Sequence, residues 1–231
     1  MKTYRFELGM AAVFLAVFIG ALAFWGDWAG GRMTREEVDQ YLEVIDENLK
    51  WPEPMKSYMM TSLREWGYAD DGKQFMMLNM MRYHDEVLDY PGAIDGFEGT
   101  PKEANYTYEL GTKDILLGQG GYPAAWGEVN LKRNVARADE ASANTQWDRV
   151  GFARYPNRRG FFRLMADPEY GVQSAYKLMG AHTNLIPMTP QWVFPDMRLA
   201  TGTILLILFF AIGWLRAELR NRNSSQEKAN D

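Results

Sequence analysis

No cysteine occurs anywhere in the 231 residues, so no disulfide can brace the fold and no thiolate can hold a metal or attack a substrate. Histidine is nearly as scarce. His84 and His182 are the whole supply, and without a cysteine or a close carboxylate pair at ligand spacing they argue against zinc and read as surface or strand-end residues. A basic excess is missing too: the net charge is -5, with no cationic stripe to replace the counterions of a phosphate backbone, which excludes nucleic acid as a partner. The one local basic cluster, Arg154, Arg158, Arg159 and Arg163, reads as a solvated helix face. A phosphate-cradling loop is also lacking. Gly118-Gln119-Gly120-Gly121 follows a helical pattern and precedes a strand-like one, the reverse of the nucleotide-binding order. No nucleophile elbow surrounds Ser142 or Ser174, and no motif calls for a cofactor.

What is present begins with two uncharged runs, Leu8 to Trp25 and Leu199 to Leu215. A bilayer core takes about 20 apolar helical residues, with a range reaching down to about 17, so both runs qualify as transmembrane helices. Trp25, Trp28, Trp192 and Trp214 stand where interfacial aromatics belong. Lys2 and Arg5 precede the first run and Arg216, Arg220 and Arg222 follow the second. Both termini therefore read as cytoplasmic, with the middle of the chain periplasmic or extracellular on a two-pass inner-membrane protein. A cleavable signal peptide, with Ala21-Leu22-Ala23 as its cleavage site, competes with an uncleaved anchor for the first run, and span length favours the anchor. Ala12, Ala16 and Gly20 recur every four positions, a face that a second helix can approach closely.

The implied organisation is a cytoplasmic N-terminus at 1-7, a span at 8-25, a helical hairpin at 33-67, an α+β domain at 72-192, a span at 197-215 and a disordered cytoplasmic tail at 216-231. About 160 exported residues are enough to bury a core without staples. In the hairpin, Thr34 and Glu37 form a capping box ahead of Val38, Tyr41, Leu42, Ile45 and Leu49 at helical spacing. Pro52 and Pro54 follow that helix, and a second runs from Met55 to Trp66 and stops at Gly67. Phe75 to Met81 is apolar on both faces, the mark of a central strand, with Asn79 as its polar exception. After a turn-rich loop, Thr100, Pro101 and Glu103 start a helix over 101-117. Strands follow at Tyr122 to Val129 and Trp147 to Tyr155, separated by a polar loop over 130-146. A helix capped by Asn157 restarts at Asp167-Pro168, and His182 to Met188 is the fourth strand. Strand, helix, strand, strand, helix, strand is the split βαβ arrangement called ferredoxin-like.

Met77-Leu78-Asn79-Met80-Met81-Arg82-Tyr83, Trp147-Asp148-Arg149-Val150, and Arg154-Tyr155-Pro156-Asn157-Arg158-Arg159 through Met165-Ala166-Asp167-Pro168-Glu169-Tyr170 resemble the domain-of-unknown-function 1330 family. The resemblance covers residues 74 to 188. It implies membership of the dimeric α/β-barrel superfamily, in which two ferredoxin-like units pair their sheets and some relatives are cofactor-independent oxygenases or isomerases. The anchors, the hairpin and Arg149, where an acidic residue is common, depart from that pattern. The resemblance brings no established catalytic residues.

The chemistry-bearing residues left are a polar set on otherwise apolar strands: Asn79, Arg82, Trp126, Glu128, Asp148 and Arg154. Asp148, Val150, Phe152 and Arg154 share a face by the two-residue period. If the sheet face away from the helices encloses a pocket, the set lines a site for a small, partly aromatic ligand. The competing reading is an ion-pair network around Asp148 and Arg154, with Asn79 satisfying a buried backbone group. Met59, Met60, Met76, Met77, Met80 and Met81 read as core filling before an adaptable binding surface. Three functions fit: a membrane-tethered module that binds a small hydrophobic ligand or assembles as a homodimer, a cofactor-independent oxygenase or isomerase, and a structural subunit docked to a membrane-complex partner through its spans.

Because the chain has no native cysteine, single cysteines placed at Ser142 and Ser225 report topology directly. A membrane-impermeant thiol reagent on intact cells should label position 142 and not 225; the opposite pattern reverses the orientation.

Overall fold

The structure, a computed structural model, describes residues 5-26, 31-131, 146-194 and 196-230, with side chains described as far as residue 222. Lys2, Trp28 and most of the 130-146 loop lie outside the described residues. The chain divides into two compact units, Gly26-Trp192 and Met1-Trp25 with Val193-Asp231.

The larger unit opens with α2 (Arg35-Asn48) and α3 (Met55-Tyr68), following α1 (Arg5-Gly26) of the smaller unit. Thr34 caps α2 by accepting the Glu37 N-H, and the Glu37 carboxylate takes two hydrogen bonds from Arg159, at 2.6 and 2.8 Å. Those bonds hold the Glu37 carboxyl below its ordinary range. Val38, Leu42, Ile45 and Leu49 recur on one side of the helix and are all buried, the stripe that period 3.6 requires. α3 runs one residue past Gly67, the expected stop, because the Tyr68 hydroxyl donates to Asp39 of α2 at 2.7 Å and holds the last turn.

The sheet consists of β1 (Phe75-Tyr83), β2 (Tyr122-Glu128), β3 (Arg149-Tyr155) and β4 (Ala181-Met188). They lie side by side in the order β2-β3-β1-β4, and every neighbouring pair is antiparallel. β1 is thus an inner strand, as its two apolar faces require. Between β1 and β2 runs α4 (Pro101-Gly118), and between β3 and β4 run α5 (Arg158-Ala166) and α6 (Pro168-Gly180). Their starts are encoded locally: Thr100 and Glu103 close a capping box, Asn157 accepts the Gly160 N-H, and Asp167 accepts the Glu169 N-H. One face of the sheet is covered, carrying Phe75, Met77, Asn79 and Met81 of β1 and Arg149, Gly151, Ala153 and Tyr155 of β3, all buried. Phe75 stacks on Tyr155 with ring centroids 5.0 Å apart, and Trp66 and Phe161 meet Phe75 edge-on. Of the methionines, Met77 and Met81 fill the core, and Met59 and Met60 pack against it. Met76 and Met80 are half-buried on the other face.

The smaller unit contains α1 and α7 (Met197-Asn230), both long and apolar enough to cross a membrane. Phe18 meets Gly202, and Glu7 pairs with Arg220 at 3.2 Å and with Arg216 at 3.9 Å, so the two helices run antiparallel with the chain termini at the same end. Their facing side chains include Ala11, Phe14, Leu15 and Phe18. The stripe of Ala12, Ala16 and Gly20 is not that surface, and a Cβ on Gly20 would meet nothing within 4 Å. α7 also continues as helix to Asn230 through residues whose polar composition suggests disorder. A Glu218-Arg222 pair at i, i+4 supports its first exposed turns.

α6 ends against the start of α4 with no room to spare. A Cβ on Gly180 would overlap the Pro101 carbonyl oxygen and come within 2.9 Å of the Asn105 nitrogen, backbone atoms that cannot rotate away. Gly180→Ala should therefore cost about 1-3 kcal/mol as overpacking, read as a lowered thermal midpoint of the detergent-solubilised chain.

Candidate functional site

Under α4, against the covered face of β2 and β3, lies a cavity of about 270 Å³ whose walls include Tyr106, Tyr108, Trp126, Arg149, Tyr155 and Asn79. Alternation along the strands aims Asn79, Arg149, Ala153 and Tyr155 at it. Trp126 stands directly opposite Gly151 in the β2-β3 pairing, and the indole lies across the bare glycine backbone, where a Cβ would collide with the ring. A wider groove of about 750 Å³ between α2 and α3 is lined largely by charged residues such as Asp39, Glu43 and Asp46. It is open to solvent, and Lys56 and Arg64 already pair with Asp46 and Asp39, so the cavity under α4 is the better site.

The polar groups at one end of the cavity form a single network around Glu109 of α4. Its Oε1 accepts from Arg149 Nε at 2.6 Å, Trp126 Nε1 at 2.8 Å and Asn105 Nδ2 at 2.8 Å, and its Oε2 from Arg149 Nη2 at 2.7 Å. Arg149 Nη1 donates to Glu128 at 2.7 Å, and its guanidinium lies 4.7 Å from the centre of the Tyr106 ring. Burial pulls the Arg149 guanidinium down, but the Glu109 hydrogen bonds and charge outweigh it and leave its pKa above the ordinary value. Tyr83 donates to Glu128 at 3.3 Å; burial, then the Glu128 charge, pushes this phenol up.

At the other end, Lys177 of α6 is only 1% exposed. Its ammonium donates to Asn79 Oδ1 at 3.0 Å, reaches the Tyr108 hydroxyl at a long 3.4 Å and sits 4.6 Å from the Tyr108 ring centre. Asn79 Nδ2 in turn donates to the Met77 carbonyl at 3.1 Å. Among the described residues no carboxylate forms an ion pair with Lys177. Tyr155 and Tyr170 are fully buried nearby, and burial pushes both phenols well up, so they stay protonated. Among the described residues no group of three or more metal-ligating side chains occurs.

The six residues singled out on the sequence therefore separate. Asn79 and Trp126 face the cavity, on the side under the helices instead of the side away from them. Glu128 borders the network through Arg149, with Lys102 at 3.4 Å from its outer oxygen. Asp148 precedes β3 and its carboxylate accepts the Tyr83 N-H at 2.8 Å. Arg154 lies on the opposite face of β3, buried, donating to Gln74 and to the Gly120 carbonyl. Arg82 is exposed at the end of β1 opposite His182, whose ring meets that of His84 with centroids 4.3 Å apart. Glu109, Arg149 and Lys177 were not in the set. Their signal was a polar residue on a buried helical stripe: Asn105, Glu109, Thr112 and Leu116 on α4, and Tyr170, Ser174, Lys177 and Leu178 on α6.

No protein-family model and no curated protein matches the chain. Similar solved structures include the RPA0582 protein of unknown function from Rhodopseudomonas palustris, 20% identical, TM-score 0.47, over 63% of this chain and 98% of that one. Its methylated form is 21% identical, with TM-score 0.47, over 62% and 94%. A variant of SnoaB, a cofactor-independent oxygenase from Streptomyces nogalater, is 14% identical, with TM-score 0.33, over 54% and 99%.

The Glu109 and Arg149 side chains are 15% and 9% exposed. Glu109→Gln leaves the buried Arg149 guanidinium with the more exposed Glu128 as its remaining carboxylate and should cost about 3 kcal/mol, while Glu109→Gln combined with Arg149→Met should recover part of that loss. Thermal unfolding of the three proteins side by side measures both effects.

Proposed function

We propose that residues 72-192 form a ferredoxin-like unit of the dimeric α/β-barrel kind, held outside the cytoplasm by two membrane spans, and that the unit binds a small, largely apolar molecule under α4. The strand order β2-β3-β1-β4 with all neighbours antiparallel supports the first part. The observation carrying the second is the aromatic-walled cavity of about 270 Å³ with a few fixed polar groups converging on it, the usual make-up of a small-molecule site. Asn79 and Trp126 are its ligand-facing residues. Glu128, Asp148 and Arg154 hold loops and strand ends, and Arg82 stands apart from the cavity.

A second reading, assembly, has its own observation. The uncovered sheet face presents Met76, Leu78, Met80, Val150 and Phe152 half-buried, with Ile186 and Met188 exposed beside them. Water is a poor neighbour for that face, and a second copy covers it at about 800 Å² per partner, the common scale of a stable association. Tethering in one membrane raises the effective concentration of that copy. The two readings are compatible, since they use opposite faces.

Native mass spectrometry of the detergent-extracted chain tests both. The wild type should appear as a dimer carrying a retained small molecule. Ala153→Leu, which fills the cavity, should lose the molecule and keep the dimer; Leu78→Glu should give monomers. An empty wild type refutes the ligand reading, and a dimer surviving Leu78→Glu refutes pairing through this face.

A further inference from the structure

Two kinds of buried charge stand at the cavity, Arg149 in its wall and Lys177 behind it, and they are treated differently. Arg149 is answered by Glu109 and Glu128, and the outer oxygen of Glu128 by Lys102, so that end is neutral as a whole. Among the described residues Lys177 has only an amide oxygen, a long contact to a phenol and the face of the same phenol ring. An ammonium kept from water without a counter-charge is costly, and neutral acceptors recover only part of the lost hydration. Both groups that hold it, Asn79 and Tyr108, are themselves walls of the cavity. The charge therefore stands directly behind the surface a ligand would touch. The remaining wall is largely apolar, with the rings of Tyr106, Trp126 and Tyr155 beside Leu110, Leu116 and Leu164, and the volume admits a molecule of one or two rings.

Resting on the ligand-binding reading above, we infer that the ligand is a compact aromatic monoanion, a carboxylate or phenolate whose negative oxygen docks toward Lys177 at the Asn79-Tyr108 wall. A dianion is disfavoured because Glu109 lines the same space and its charge is already matched by Arg149. A cation is excluded by the same ammonium that attracts the anion. Apart from Arg149, which is paired, Lys113, exposed on α4 at the cavity's edge, is the other cation lining the cavity, and its position in solvent makes its attraction weak and salt-screened.

The test uses the full chain in detergent and two photoreactive probes of nearly equal shape, 4-azidobenzoate and its neutral amide, 4-azidobenzamide. After illumination, labelled peptides are mapped by mass spectrometry. The anion should label the 106-116 segment or the facing β3 wall half-maximally at a concentration at least tenfold below that of the amide. Lys177→Met should bring the two probes together, and Lys113→Met should leave most of the preference. Equal labelling of the wild type by both probes overturns the charge inference while leaving the ligand site standing. Labelling of neither wall by either probe removes the site itself. A preference that survives Lys177→Met in a variant melting like the wild type, or that disappears with Lys113→Met alone, assigns the anion elsewhere and overturns the proposal. Should Lys177→Met fail to fold, the wild-type comparison of the two probes still decides.

Discussion

A strand in the middle of a sheet has two neighbours to bond and two faces to cover, and the rest of the domain is arranged around that demand on β1. β3 and β4 take its backbone groups. Phe75, Met77 and Met81 then anchor the aromatic core beneath the helices, while Met76, Leu78 and Met80 on the alternate positions leave an apolar surface outward. Four strands with helices on one side cannot cover both faces alone. The hairpin of α2 and α3 does not solve the problem, because its buried stripe is spent against α5, with Tyr41 and Phe162 rings 6.0 Å apart. Among the described residues the outward face is left half-buried at Met76, Leu78 and Met80.

The inward row of β1 would be wholly apolar but for Asn79. Placed there, its amide needs both a donor and an acceptor partner. The backbone supplies the acceptor through the Met77 carbonyl, and the donor is the Lys177 ammonium. One polar position on a strand thereby draws a charge into the core from α6. Tyr108 of α4 completes the contact, so three elements meet at one polar cluster.

Much of this was legible in the sequence because it is written locally. Thr34, Thr100, Asn157 and Asp167 each mark a helix start by a side chain that bonds a backbone N-H two or three residues on, and such signals need no tertiary information. The two apolar faces of β1 likewise announced an inner strand. The location of the site was not legible, for a reason of parity. Asn79 pairs with Gly151 and so shares its face with Arg149, whereas Arg154 pairs with Met76 and points the other way. A shift of one residue in register exchanges the faces, and nothing within either segment reveals the register between them. The same limit hid Glu109 and Lys177. Each belongs to a helix whose buried side is set by the sheet it lies on, and a charge on that side looks like an ordinary surface residue until the packing is known.

Glu109 and Lys177 are two answers to one problem, a charge removed from water. The carboxylate is surrounded by four donated hydrogen bonds from Arg149, Trp126 and Asn105, which leaves it with little to offer a guest and makes it a strut between α4 and β3. The ammonium has two neutral acceptors for three protons and, among the described residues, no matching charge. Removing water from a charge is tolerable when the geometry supplies the opposite sign, and of these two the carboxylate is the one so matched. Exchanging Lys177 for a methionine of similar length would remove the desolvation penalty but leave Asn79 Oδ1 without its donor. On the inference drawn above, the lysine behind the Asn79-Tyr108 wall is half of an ion pair whose other half arrives with the ligand.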